Sequence, residues 1–327
     1  MKIALLLLSL LALLPLQGAE RILLAAENQV IEVDRDGRVT NVLKHPGHNA
    51  IWDAWRLPDG GIAYVHKLGL AVFDANQKLV FEHASIPGKM GVQSSGLAVL
   101  HQGQRFALLD SGAGEIRVVD RKGRLISRTP IPDLGSDPLF SRYRMLRESP
   151  SKNAFWLVQY DRNQLLEIET GTGRILSTIP MAPHLTLNPP APHHAFASLA
   201  LGDGSLYATT ATGLQLLRLD AHRHRLTSWT AADLGIATRY FLGMQMLRNG
   251  HLLIAGGDYH ITTKDEGRDL LLELSPAGKV VWKLTRSMIV DQVEGFIDPK
   301  TGIEELRITN VHLYDDARLK DCLRVKR

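Results

Sequence analysis

The stretch Val30-Ile31-Glu32-Val33-Asp34-Arg35-Asp36-Gly37-Arg38-Val39 reads as a strand, a tight turn and the start of a second strand. Alternating apolar positions lead into an acidic residue, a glycine reverses the chain, and a second β run follows. The same grammar returns at residues 70–80, 116–126, 165–176, 216–226 and 271–281. With the turn aligned on Gly37, Gln77, Gly123, Gly173, Arg223 and Gly278, the spacings are 40, 46, 50, 50 and 55 residues. Periods of this size, built from short period-2 strands and turn residues, predict propeller blades. A β sandwich supplies no reason to repeat one strand-turn-strand signature in this way.

Each copy from the second onward is preceded by two more strand signals joined by a polar turn. Residues 50–57 run into Pro58-Asp59-Gly60 and then 62–66. The equivalent pairs are 97–100 with 106–110, 143–146 with 155–159, 196–201 with 206–210, and 244–247 with 252–255. Four strands per unit is the composition of a blade. The first copy, beginning at Arg21, has only three, while the C-terminal region offers a lone strand at 306–314. Placed innermost in the first blade, that strand completes an all-β, six-bladed β-propeller of four-stranded blades and leaves no open edge. The expected layout is a signal peptide at 1–19, a single propeller at 20–316 and a basic tail at 317–327.

Composition and charge narrow the partners. Of 327 residues, 45% are apolar and 22% charged, which excludes disordered, collagenous and disulfide-stapled chains. The formal charge of +4 sits at the two ends: Lys2 in the leader, and Arg318, Lys320, Arg324, Lys326 and Arg327 against Asp321 in the tail. The body between them is close to neutral, so no nucleic-acid partner is expected. Met1 and Lys2 precede a leucine-rich run at 3–14, then Pro15, Gly18 and Ala19, the layout of a secretory signal. The run falls short of the roughly 20 residues a spanning helix needs. Export to the periplasm or beyond, with cleavage after Ala19, no stable membrane anchor afterwards and a monomeric product, is the expectation. Cys322 is the only cysteine, so no internal disulfide can form.

Asp110-Ser111-Gly112-Ala113-Gly114-Glu115-Ile116-Arg117-Val118-Val119-Asp120 resembles an NHL-type blade. Leu274-Ser275-Pro276-Ala277-Gly278-Lys279-Val280-Val281-Trp282 and Met246-Leu247-Arg248-Asn249-Gly250-His251-Leu252 resemble the secreted bacterial propellers called PQQ-binding-like or quinoprotein-like, related in repeat style to arylsulfotransferase propellers. The likeness spans the mature chain as a repeat pattern. It implies a secreted propeller with a small-molecule site in its central channel. The chain departs from large PQQ alcohol dehydrogenases, which have eight blades and adjacent cysteines. Six-bladed sugar dehydrogenases lack those cysteines, so PQQ stays open as a cofactor.

In a propeller, the loops leading into the innermost strands and those between second and third strands gather at one mouth of the channel, where a site is built. Here the former include His45-Pro46-Gly47-His48-Asn49 and the proline-rich segment 183–194 with His184, His193 and His194. Sulfotransferase propellers use loop histidines, and the resemblance implies His48 and His194 as the catalytic candidates. Trp52, Lys67, Lys89, Arg142, Arg144, His193, Arg239, His260 and Arg307 are the ligand-binding candidates, arginine for paired contacts to an anion and tryptophan for stacking. His66, beside Lys67, points to the same mouth. Histidines from separate blades could meet as metal ligands, but neither Cys-x-x-Cys nor His-Glu-x-x-His occurs. No metal set is assigned, and a divalent ion stays as open as PQQ. Asp34-Arg35-Asp36-Gly37 mimics the opening of a calcium loop without the later ligands and reads as a hairpin turn. The sequence reading is an exported propeller binding a small or extended ligand at the channel mouth. An arylsulfotransferase, lactonase or sugar dehydrogenase type of enzyme is the alternative, and a protein-interaction scaffold the third.

Overall fold

Short β runs joined by tight turns pair with their neighbours in sequence, because so short a connection permits only antiparallel pairing. The computed structural model describes residues 20–86, 94–132, 143–185, 194–258, 262–263 and 268–315. Within them lie six four-stranded antiparallel sheets. Blade one holds β1 (Glu20–Ala26), β2 (Gln29–Val33) and β3 (Val39–Leu43). Blade two is β4 (Asp53–Arg56), β5 (Ile62–His66), β6 (Gly69–Phe73) and β7 (Leu79–Ala84). Blade three is β8 (Ser94–Leu100), β9 (Arg105–Asp110), β10 (Glu115–Asp120) and β11 (Leu125–Pro130). Blade four is β12 (Tyr143–Glu148), β13 (Ala154–Gln159), β14 (Gln164–Glu169) and β15 (Ile175–Pro180). Blade five is β16 (Ala195–Ala200), β17 (Leu206–Thr210), β18 (Gln215–Leu219) and β19 (Arg225–Thr230). Blade six is β20 (Tyr240–Met246), β21 (Leu252–Gly257), β22 (Asp269–Leu274) and β23 (Val280–Thr285). A small hairpin, β24 (Phe296–Ile297) with β25 (Glu304–Glu305), precedes β26 (Ile308–Asp315), which returns to pair with β1.

This is the six-bladed ring with its seam in blade one. β26 runs antiparallel to β1 from Glu20 opposite Asp315 to Ala26 opposite Ile308. Thr309 Oγ1 lies 3.1 Å from the Ala25 carbonyl and 2.9 Å from the Ile51 carbonyl and shares its one proton between them, tying the closing strand to blade one and to the loop entering blade two. The first strands β26, β4, β8, β12, β16 and β20 touch one another in that cyclic order and so line the axis. Middle strands are packed on both faces by adjacent blades, and every residue of β5 and β6 is buried. Outermost strands alternate, as in β7, where Val80, Glu82 and Ala84 face solvent.

The turn between third and fourth strands is built alike around the ring. Asp34 Oδ1 accepts the amides of Asp36 (3.0 Å) and Arg38 (2.9 Å), and Asp74 and Asp120 repeat the arrangement. These carboxylates are engaged with backbone, as a hairpin turn requires. The six aligned turn residues, Gln77 and Arg223 included, have φ between 62° and 80°. At Gly173 and Gly278 a side chain has no room either. A Cβ would lie 2.2 Å from the Pro130 carbonyl oxygen and 2.1 Å from Trp229 Nε1, each on the preceding blade. The turn is therefore also an inter-blade contact.

The axis is closed by polar side chains. Asp53 on β4 is fully buried, receives Arg147 Nη1 from β12 at 2.6 Å and the Leu97 amide from β8 at 3.2 Å, and is bonded by Asn310 Nδ2 from β26. Four of the six innermost strands thus meet on one carboxylate. Trp55, also on β4, lies under the Arg147 guanidinium at 5.3 Å and 4.7 Å from the ring of His312.

Candidate functional site

Five of the six innermost strands carry a register shift at the end nearest the mouth: β26, β8, β12, β16 and β20. Such irregularities re-aim side chains and are common beside sites. In β12 the extra residue is Met145, at φ 45°. The preceding residue, Arg144, is buried, and its guanidinium lies 5.4 Å from the ring centre of Trp52 and 5.1 Å from that of Tyr160. Its Nη1 donates to the Tyr143 carbonyl at 3.0 Å.

His194 extends this group. Its ring stacks on Tyr160 at 4.7 Å, and Nδ1 donates to the Tyr160 carbonyl. A carbonyl only accepts, so Nδ1 carries the proton and Nε2 is the basic nitrogen. Trp52, Arg144, Tyr160 and His194 thus form a continuous aromatic and cationic wall contributed by the blade two, four and five sides of the mouth. The hydroxyl of Tyr240, on β20, is held above its ordinary pKa by burial.

The other candidates are placed differently. Lys67 is exposed on the turn between β5 and β6, and Arg239 is exposed just ahead of β20. Arg307 is buried and bonded to two carboxylates, Asp298 Oδ2 at 2.5 Å and Glu305 Oε2 at 2.5 Å, with its guanidinium 4.1 Å from the Phe296 ring centre. Its charge is balanced within the fold. Lys89, Arg142, His193 and His260 lie outside the described residues, as do residues 1–19 and 316–327, Cys322 among them.

His48 belongs to a second cluster, in the cleft between blades one and two. Its ring stacks on His66 at 3.9 Å, and its Nε2 lies 2.6 Å from Glu82 Oε1. Its Nδ1 meets the Tyr64 hydroxyl at 2.5 Å. His66 Nε2 is 3.8 Å from the same Glu82 oxygen. Burial lowers the pKa of both imidazoles, that of His66 to about 3 with the neighbouring histidines adding to the effect, so both are neutral near pH 7. Burial likewise raises the Tyr64 hydroxyl, with Glu82 contributing. Among the described residues, the ligand atoms of His48, His66 and Glu82 all lie within 4.8 Å of one another, which makes them a possible metal set.

His48 and His194 therefore sit in separate clusters, and the sequence reading found only part of each: His66 in the first, Trp52 and Arg144 in the second. Glu82, Tyr64 and Tyr160 were not singled out. Strand register was the usable signal: Tyr64 pairs with Ala71, Ala71 pairs with Glu82, and His66 follows Tyr64 by two on the same face. The small Ala71 leaves the space that the cluster fills.

No protein-family model matches the chain, and no curated protein does. Among solved structures, it is similar to a protein of unknown function from Bacteroides caccae, at 16% identity and a TM-score of 0.71 over 90% of this chain and 98% of that one. A chain of the nidogen/laminin complex matches at 12% identity and 0.56, over 90% and 98%. Streptogramin B lyase matches at 12% identity and 0.54, over 82% and 84%. At such identities the likeness shows the propeller fold and nothing finer, since one fold hosts many functions.

Proposed function

We propose that this chain is an exported propeller that binds a small anionic ligand with a planar face at the mouth of its central channel. The observation that carries the reading is Arg144, a buried guanidinium set against Trp52 and Tyr160 at the start of an innermost strand. Aromatic faces hold the guanidinium in place and offer a stacking surface, while its donors suit a carboxylate or sulfate. Exposed Lys67 and Arg239 add positive field at the rim.

The test is calorimetric titration with planar carboxylates and aryl sulfates, PQQ among them, against the wild type and Arg144→Ala. At least one probe should bind, and the variant should weaken it by about tenfold or more, equivalent to about 1.4 kcal/mol. Equal affinity in Arg144→Ala would overturn the reading. A second, enzymatic reading is favoured by His194, whose tethered Nδ1 leaves Nε2 as a positioned base. It expects turnover of a bound probe that is lost in His194→Ala with melting unchanged.

A further inference from the structure

We propose that His48, His66 and Glu82 form a binding site for a divalent transition-metal ion in the cleft between blades one and two, outside the ring of innermost strands. Both Nε2 atoms approach one Glu82 oxygen, at 2.6 Å and 3.8 Å. Donors around a tetrahedral zinc-class ion stand roughly 3.3 Å apart when each bond is about 2.0–2.1 Å. Reaching that arrangement takes a shift of Glu82, whose side chain is 43% exposed, and a rotation of the two imidazoles out of the stacked arrangement in which they lie without the ion. Two neutral nitrogens and one carboxylate are the donor set of zinc and its first-row neighbours, not of calcium or magnesium, which take oxygen ligands.

The hydrogen-bonding pattern supports this. Without a metal, Tyr64 could donate to His48 Nδ1 and His48 Nε2–H to Glu82, which would satisfy His48 alone. His66, 3% exposed, gains nothing from that chain: Nδ1 has no hydrogen-bond partner and Nε2 lies beyond hydrogen-bond reach of Glu82. An ion would take the Nε2 lone pair that Glu82 does not reach, while Nδ1, the atom without a partner, is not the one it would bind. On metal binding the His48 tautomer reverses, Nδ1–H donates to the Tyr64 oxygen, and Tyr64 becomes the outer partner that orients the ligand. The exposed side of Glu82 leaves a coordination position open to solvent or to an exogenous ligand.

The experiment uses untagged protein freed of metal by chelator, titrated with Zn²⁺ and separately with Co²⁺, whose visible bands report coordination geometry. One equivalent of Zn²⁺ should bind, and Co²⁺ should give a four- or five-coordinate spectrum. Glu82→Gln, a change at the surface, and His66→Ala should each raise the dissociation constant by about 100-fold or more, and Tyr64→Phe by about tenfold. Circular dichroism of each metal-free variant checks folding, and Glu82→Gln decides the matter if His66→Ala does not fold. Variants of the exposed pair His222 and His224 should bind as the wild type does. Absence of a stoichiometric site, undiminished binding in Glu82→Gln, or loss of the site in His222→Ala would each overturn the proposal.

Discussion

Asp53 places a carboxyl in the fully buried axis, and its neighbours explain why it is tolerated there. Burial pushes its carboxyl above the ordinary value, while Arg147, Asn310 and the Leu97 amide pull the other way. Asp53→Ala strands the Arg147 guanidinium at the axis, and breaking a buried pair in this way costs about 3–5 kcal/mol. Urea unfolding of the variant measures the loss. Asp258, at the end of β21, gives a pH dependence. Burial pushes its carboxyl up to about 6, against the opposing pull of the Leu306 amide and Arg286. A raised folded-state value means that its stabilising contribution is complete below the unfolded value near 3.8 and is lost as pH rises through 6. The span corresponds to about 3 kcal/mol. Unfolding free energy measured from pH 4 to 7 should therefore fall in the wild type relative to Asp258→Asn, and parallel curves would refute the assignment. Neither residue stood out in sequence as a buried charge, because burial here is set by strands that converge from distant blades.

At the scale of the element, the turn between third and fourth strands was readable from sequence and the innermost strand only in part. Aligning Gln77 and Arg223 with four glycines implied a left-handed turn at all six positions, and each has positive φ. A non-glycine residue is strained there by about 1–2 kcal/mol, partly offset by the extra backbone entropy glycine loses on folding. Gln77→Gly should accordingly raise stability by up to about 1 kcal/mol, even though it gives up the Gln77 hydrogen bond to Asn41. Gly173→Ala should lower it, because the added methyl meets the Pro130 carbonyl. Thermal melting of the two variants, moving in opposite directions, is the check. The register shifts of the innermost strands were only partly readable: those in β8 and β20 contain Gly96 and Gly243, the residue type that marks a bulge or a close backbone approach inside a strand, while those in β26, β12 and β16 contain no glycine.

For the whole molecule, closure is the decisive property. β26 and β1 are an antiparallel pair drawn from opposite ends of the described residues, with Glu20 opposite Asp315. A chain ending at residue 305 removes the innermost strand of blade one and the Asn310 bond to Asp53; it should lose cooperative melting. Joining residue 315 to residue 20 through a short linker, and opening the chain instead between Asp59 and Gly60, should keep the fold. Survival of the truncated chain would refute closure as the source of stability. Strand alternation, turn chemistry and the recurring period are local properties, so the sequence by itself determined the blades, their number and the strand that seals them. The sites are different in kind. Arg144 meets Trp52 across blades and Tyr160 within its own blade, and His48 meets His66 and Glu82 across a loop and two strands. Only the tertiary structure decided these groupings, because they depend on how wedge-shaped blades pack around an axis and on which side chains that packing deprives of water.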